Sequence, residues 1–365
     1  MSSLQLLINN TNRQVKILIL VLMFLISFSC SDKPVAEKLS VSVKSNFALL
    51  HKDPQFVMFL NFKSMRTTNF WKEFVSDSLL SAENTLGSLL YSFKATTGAT
   101  ISDGLDELYY SNSWLGNNSI VLKGLFDKSK INAYLEHDTL IIKTQRPDGN
   151  TVYMFKNNNL LFFFKDNFTI CASNYPNQID DMLSVKDTSN TGLLQNPEMM
   201  KAIDELIYKD NLFMVTAEKT FIRGIFANYV ESKLSSNYKM KDPFDTTNTG
   251  TDSLSKTDEL IMNKIYKNIN SIGFSAKMKN DLNLVIQFEL TDAKSTEYLE
   301  KLFSGLITLS KLTGSTKNEQ NQSATEKILD KIELKNFDNS LFMNIKINKD
   351  NINEFRKNSL LSKPN

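Results

Sequence analysis

Apolar and polar residues alternate most clearly at 282–290, where every second residue is apolar. Asn283 and Glu289 lie among the residues between them, so one face of an extended strand would be apolar and the other mostly polar. A second alternating run at 274–278 comes just before, and Asn280-Asp281 between the two runs is typical of a tight turn. The pattern predicts a β-hairpin with one face on the core and the other largely in water.

The middle of the chain contains five short β-prone runs separated by residues that favour turns. They are residues 120–126, 139–144, 152–156, 160–165 and 168–172. This close spacing predicts an antiparallel meander. The run at 160–164 is apolar throughout, which predicts a strand covered on both faces. Further runs at 56–62 and 212–217 predict two more strands.

Apolar residues at spacings of three and four predict amphipathic helices between these strands. Asn196 followed by Pro197 is a typical helix start, and helices are also predicted over 218–234 and 294–312. Together the patterns predict an α+β fold, in which antiparallel sheets pack against amphipathic helices.

A weak internal repeat suggests two related halves. Residues 126–136 align without gaps on 290–300, and four positions are identical. Both copies follow a predicted strand and begin a predicted helix. Chance combined with this shared connection explains the likeness as well as duplication does.

The first thirty residues differ from the rest, because an uncharged apolar run at 17–28 follows Arg13 and Lys16 and ends at Ser29-Cys30. A basic start, a short apolar core and a small residue before the cut describe a secretory signal. The run is shorter than the roughly 20 residues of a membrane-spanning helix. With a cysteine at the cut, the segment resembles the signal of bacterial lipoproteins.

This resemblance implies that the chain is cut before Cys30 and that Cys30 is acylated, with palmitate as a typical chain. The lipid would anchor the protein to a membrane of the cell envelope. Ser31 rather than aspartate follows the cysteine, which favours the outer over the inner membrane, with the folded part facing the periplasm or the exterior. Ser27 and Phe28 depart from the strict pattern, so an uncleaved anchor and an ordinary secretory signal are the alternatives.

These patterns divide the chain into four parts. They are a signal peptide at 1–29, a lipidated tether at 30–45, a first α+β half at 46–195 and a second α+β half at 196–365. Polar residues and Pro34 dominate the tether. Because Cys171 is the only cysteine besides Cys30, we expect no internal disulfide and a fold that depends on a large core.

Charge argues against one class of partner. The chain has 42 Lys and Arg against 40 Asp and Glu, and no long block of either sign follows the signal. A nucleic-acid surface requires clustered basic residues that neutralise phosphates. We therefore expect no nucleic-acid partner.

Residue types that carry catalysis are sparse. The only histidines are His51 and His137, both in polar surroundings that predict solvent exposure, whereas zinc sites usually draw on several imidazoles or thiolates. The sequence contains neither a Gly-x-Ser-x-Gly elbow nor a Gly-rich phosphate loop. Cys171 alternates with Ile170 and Ala172, which predicts a half-buried strand residue facing away from those two, not a nucleophile.

Two groups of acidic residues are also interpreted as structural. Asp242, Asp245, Asp252 and Asp258 have no EF-hand spacing and predict a solvated loop, not a calcium site. Asp103, Asp106 and Glu107 are interpreted as turn and helix-start acids. The sequence thus predicts no catalytic residue, no metal site and no cofactor.

The leading hypothesis is a lipid-anchored protein with a non-catalytic binding or scaffold role. The alternative is a carrier or sensor of a hydrophobic ligand, held between helix faces at 221–234 and 299–309. Its lining residues would be Phe221, Ile225, Phe226, Tyr229, Leu302, Phe303 and Leu306. An exported hydrolase is the third hypothesis, and it would need polar groups that converge in one cleft.

Overall fold

The computed structural model describes residues 33–75, 97–156, 159–186, 190–225, 266–314 and 331–353. The chain divides into two compact units, Met1–Val35 and Ala36–Asn365. All the helices and strands described below belong to the second unit.

The described residues form one sheet of twelve strands, and neighbouring strands are antiparallel throughout. The strands are β1 Phe56–Asn61, β2 Leu105–Asn112, β3 Asn118–Gly124, β4 Ile141–Gln145, β5 Thr151–Phe155, β6 Leu160–Phe164, β7 Thr169–Ser173, β8 Leu212–Thr216, β9 Ile269–Met278, β10 Leu282–Leu290, β11 Ile332–Phe337 and β12 Ser340–Ile347. Their order across the sheet is β11-β12-β10-β9-β8-β1-β2-β3-β7-β6-β5-β4.

Helices pack on both faces of this sheet, so the protein is α+β, as the sequence predicts. They are α1 Val41–Asn46, α2 Phe62–Arg66, α3 Lys128–His137, α4 Pro176–Ser184, α5 Pro197–Glu205 and α6 Ala293–Gly314. Residues 219–225 are also helical. Two 3-10 turns, Phe47–Leu49 and Gly192–Gln195, and a π-helical turn, Trp71–Val75, complete the helical segments with bounds in the described chain.

The two halves of the sheet have the same strand order on either side of the β1–β8 junction. Reading outward, β1, β2, β3, β7 and β6 correspond to β8, β9, β10, β12 and β11, while the β4–β5 hairpin has no counterpart. In each half the third strand leads into a helix, α3 or α6, which is where the sequence repeat lies. The capping acids are Asp127 and Asp292. In the ungapped alignment Asp127 faces Thr291, so the two connections differ by one residue.

The first face of the sheet carries the larger core. Val57 and Phe59 of β1 and Phe213 and Val215 of β8 point to it, and all four side chains are buried. Phe47, from the turn after α1, makes edge contacts with Tyr109 and Phe213, with ring centroids 6.2 and 6.4 Å apart. Residues of α4 and α5 close this core, which therefore spans both halves.

The second face carries two separate clusters. One lies between α2, the π-helical turn and strands β2, β3, β6 and β7, and it includes buried Trp71. The other lies under α6 and the helix at 219–225, where Ile222 and Leu299 are fully buried. The central strands lie between these clusters.

The structure corrects the predicted tether at 30–45. Ser40 caps α1 by accepting a hydrogen bond from the backbone N–H of Val43 at 3.2 Å, and the Val43 side chain is buried in the first core. In the sequence Val43 lies between polar residues, so no apolar run marks it as buried. The folded body therefore includes residues 37–45, and a tether would end before Glu37.

The structure also corrects the interpretation of Asp106 and Glu107, which lie on strand β2 and not at a helix start. Asp106 accepts a hydrogen bond from the Arg66 guanidinium at 2.6 Å, and Glu107 accepts one from the Tyr109 hydroxyl at 2.6 Å. These partners allow acidic residues in a strand. Asp103 does lie in a turn, as predicted.

Candidate functional site

A row of apolar side chains crosses the middle of the second face. Tyr110, Met58, Met214 and Phe274 are direct register partners on β2, β1, β8 and β9. None of the four is fully buried, and Met214 is 40% exposed. We call these four residues, together with Phe56 and Phe221, the central strip.

The central strip exists because β1 and β8 are apolar on both faces. Val57 and Phe59 alternate with Met58 and Leu60, so the residues that do not enter the first core point to the second face. A strand with one wet face normally carries polar residues there. Contiguous apolar residues on an incompletely covered surface are typical of an interaction site.

Aromatic side chains extend the central strip at the end of the sheet where β1 begins. Phe56 packs between Tyr110 and Phe221, with ring centroids 5.6 and 5.5 Å away. Trp114, which is 53% exposed, lies 6.5 Å from Phe221 in an edge-on arrangement. The Tyr110 hydroxyl donates a hydrogen bond to Asn118 at 2.7 Å, and burial raises the pKa of Tyr110, so it remains a donor at neutral pH.

The structure describes five of the seven predicted ligand-lining residues, on the helix at 219–225 and on α6. Phe221 belongs to the central strip, and Ile225 is exposed one turn further along the same helix. Leu302 and Phe303 pack in the cluster under α6, where Phe303 lies 5.3 Å from Phe288. Leu306 is half-buried on α6. Phe226 and Tyr229 lie outside the described residues.

Of the six residues of the central strip, the sequence patterns singled out only Phe221. The signal for Phe56, Met58 and Met214 was present as uninterrupted apolar runs at 56–60 and 212–215, which predict strands covered on both faces. A single apolar run does not show which strand lies beside it in the sheet. The strip appears only when β1, β8 and β9 are aligned.

Away from the central strip, two cavities are lined by residues that the structure describes. One of about 240 Å³ lies between α4 and the two 3-10 turns, and Gln178, Asp181, Thr191 and Gly192 are among its lining residues. A more open hollow of about 400 Å³ lies at the end of α3. Neither is lined by a residue of the central strip or of the predicted ligand site.

Glu37 fixes the start of the folded body by four interactions. Its backbone N–H donates to the Ile207 carbonyl at 3.0 Å, and its carboxylate accepts from the Lys209 N–H at 2.8 Å and pairs with Lys277. The Lys209 ammonium donates to the Glu37 carbonyl at 2.5 Å. We call this group the Glu37 anchor.

Lys209 and Lys277 connect the Glu37 anchor to α5 and β9. Buried Lys209 also donates to the carbonyls of Asp204 and Leu206, which end α5. Burial lowers the pKa of Lys209, while Asp204 and Glu37 oppose that change. The hydrogen bond to Glu37 raises the pKa of Lys277. Lys209 and Lys277 together hold Glu37 to the body.

Cys171 and His137 are residues of potentially reactive types, and the structure shows the exposure of each. Cys171 is fully buried on the first face, opposite Ile170 and Ala172 as predicted, and burial raises its pKa to about 12. It is more buried than the sequence suggests, because α4 covers β7. His137 is exposed, as predicted.

The prediction of a solvated His51 is wrong. The ring is half-buried against the loop at Asn117, and desolvation lowers its pKa. Its Nε2 is buried and has no hydrogen-bond partner among the described atoms. Within the described ranges, no three His, Cys, Asp or Glu side chains are arranged to hold a metal ion. The acidic residues at 242–258 lie outside those ranges.

Comparison with known proteins gives a distant structural likeness only. No family model and no curated protein matches the chain. Crystal form III of TP0453 has a TM-score of 0.44 at 9% identity, covering 92% of this chain and 99% of that one. Crystal form IV has a TM-score of 0.43 at 9% identity, covering 87% and 96%. Crystal form I has 0.43 at 9%, covering 92% and 98%.

Proposed function

We propose that this chain is an exported lipoprotein, anchored to a membrane of the cell envelope through acylated Cys30, whose folded body binds a protein partner through the central strip. The role is one of binding or scaffolding and not of catalysis. The single observation that carries the binding role is Met214, an apolar residue in the middle of the sheet that is 40% exposed.

The anchoring part of the proposal is supported by the sequence before the body and by the position of the Glu37 anchor. The apolar run, the basic residues before it and Ser29-Cys30 match the lipoprotein pattern in outline. Glu37 is held to the body only seven positions after Cys30. Among the described helices, none combines the length and hydropathy needed to cross a bilayer.

A protein partner fits the central strip better than an enclosed small ligand. The strip combines methionine side chains, which adapt to irregular partners, with Tyr and Phe, and Trp114 lies beside Phe221. These aromatic residue types are enriched at protein interfaces. Small-ligand sites are concave and enclose most of the ligand surface. Met58, Met214 and Phe274 instead follow the sheet from strand to strand.

Geometry also favours presentation to a partner away from the membrane. The Glu37 anchor lies where β8 begins and β9 ends, whereas Phe56 and Trp114 lie at the opposite end of the sheet. The six residues of β1 separate the two ends by about 17 Å. An anchored body would hold Trp114 and its neighbours away from the bilayer.

The test replaces Met214 with glutamate and uses Ile142→Glu as a matched control. Ile142 is 39% exposed on the outer strand β4, so the control adds the same charge at the same exposure elsewhere on the sheet. In mild detergent extracts we expect the wild-type protein to migrate as a complex larger than the single chain. A centrally placed contact of about 2 kcal/mol corresponds to a roughly 30-fold loss of affinity. Met214→Glu should therefore release the single chain, and Ile142→Glu should not.

Three outcomes decide between the hypotheses, provided that both variants keep the wild-type unfolding midpoint. Loss of the complex in Met214→Glu alone supports the proposal. A complex that persists in Met214→Glu contradicts it. A hydrophobic small molecule that copurifies with the wild-type chain and is lost in Met214→Glu would replace the partner with the carrier role.

A further inference from the structure

The Glu37 anchor lies seven positions after Cys30 in the sequence and at one end of the sheet. We call this end of the sheet the anchor end: β1, β3 and β9 finish there, and β2, β7, β8 and β10 begin there. Seven peptide units connect Cys30 to Glu37, so an extended chain spans at most about 24 Å. A lipid on Cys30 would therefore keep the Glu37 anchor within about 24 Å of the bilayer surface.

Two large apolar side chains protrude from neighbouring loops at the anchor end. Leu125, just after β3, is 67% exposed, and Phe168, just before β7, is 55% exposed. The Gly124 N–H donates to the Phe168 carbonyl at 2.9 Å, which places the two loops side by side. Leu125 follows β3, which is the third strand from β8 in the sheet order. The lateral distance between β3 and β8 is therefore about 14 Å.

Both loops are held firmly. The Leu125 N–H donates to the Gly104 carbonyl at 2.7 Å, and the Phe168 N–H donates to the Asp166 carboxylate at 2.7 Å. Single exposed apolar residues are ordinary on protein surfaces. Leu125 and Phe168, however, are adjacent, and they lie on hydrogen-bonded loops at the anchor end. This arrangement points to a surface that enters an apolar medium.

We propose that the anchor end faces the bilayer and that Leu125 and Phe168 insert into its interfacial layer. This proposal rests on the proposed lipid anchor at Cys30. The lipid alone would bind the chain weakly if it carried one acyl chain, and two inserted side chains add a second attachment. They also fix the orientation of the body, with Trp114 and the neighbouring part of the central strip directed away from the membrane.

The test uses tryptophan fluorescence of the full-length lipidated protein, because the chain contains only Trp71 and Trp114. Trp71 is buried and serves as a constant background, while exposed Trp114 reports on the opposite end. A second protein, carrying Trp114→Phe and Phe168→Trp, moves the exposed reporter to the anchor end. Each is placed in vesicles of phosphatidylethanolamine and phosphatidylglycerol, with and without brominated phosphatidylcholine.

We expect the bromine atoms to remove most of the emission of the new tryptophan and to leave that of Trp114 unchanged. No quenching at position 168 would overturn the proposal, and so would equal quenching of both reporters. Unquenched emission that changes with protein concentration would indicate contact between copies and would also overturn it. Fatty-acid labelling of the same proteins separates the two proposals, since absence of label contradicts the anchor itself, whereas labelled but unquenched protein contradicts only the insertion.

Discussion

At the scale of single residues, the best-defined polar interaction in the first core is that of Tyr109. Its side chain is fully buried, its hydroxyl donates to Glu107 at 2.6 Å, and it accepts a hydrogen bond from the Asn46 amide at 2.9 Å. Burial, followed by the neighbouring negative charge of Glu107, raises its pKa well above the ordinary value. The hydroxyl therefore stays protonated in the folded protein.

This shift predicts a loss of stability in alkali. Because the folded-state pKa is raised, the contribution of Tyr109 is complete below about pH 10, where unfolded tyrosine is also protonated. This contribution is lost as the pH rises further, by about 1.4 kcal/mol for each pH unit above the pKa of unfolded tyrosine. Urea unfolding on both sides of that pH should show this decline in the wild-type protein and a smaller one in Tyr109→Phe. Equal declines would contradict the assignment.

Residue-scale prediction from the sequence succeeded where a local pattern decided the outcome. Alternation alone placed Cys171 opposite Ile170 and Ala172. It failed for His51, since the covering loop at Asn117 is 66 positions away in the chain. The residues that form the central strip are likewise distant in the sequence.

At the scale of elements, local capping and periodicity predicted most helices and strands, including the start of α5 at Pro197 and the β9–β10 hairpin. Strand β2 was missed because Asp106 and Glu107 resemble a helix start. Helix α4 was missed as well, although Pro176 at its start and Ile179, Met182 and Leu183 at spacings of three and four give the same kind of signal as α5 does.

The N-cap of α5 gives a prediction at this scale. The Asn196 side-chain oxygen Oδ1 accepts from the Met199 N–H at 2.9 Å, and its side-chain amide donates to the Lys52 carbonyl at 3.1 Å. Asn196→Ala should lower the free energy of unfolding by about 1 to 2 kcal/mol, measured in urea. Asn177→Ala, at an exposed position on α4, is the control and should change it by less than about 0.5 kcal/mol. A cost for Asn196→Ala no larger than that of the control would refute the cap.

At the scale of the whole molecule, the sequence predicted the α+β class and left duplication and chance likeness of the two halves equally open. It did not predict that both halves join in one sheet. That union depends on β1 pairing with β8, in which Phe59 lies opposite Phe213, 154 positions later in the chain. No local pattern specifies such a pairing. The β1–β8 pairing creates both the shared first core and the central strip. The surface proposed for binding is therefore a property of the assembled sheet.

The body places the Glu37 anchor and the aromatic end of the central strip at opposite ends of β1. In the proposed arrangement, one end attaches to a membrane and the other meets a partner. The orientation relative to the membrane depends on modification of Cys30, which can be measured directly. Cys171→Ala is the matched control, because Cys171 is the other cysteine of the chain and is fully buried.

The decisive measurement is metabolic labelling with a fatty-acid analogue, combined with membrane fractionation, of the wild-type chain, Cys30→Ser and Cys171→Ala. We predict that the wild-type protein and Cys171→Ala carry the label and sediment with membranes, while Cys30→Ser is unlabelled and is released from them. An unlabelled wild-type protein, or a Cys30→Ser variant that fractionates as the wild type does, would contradict the lipid anchor.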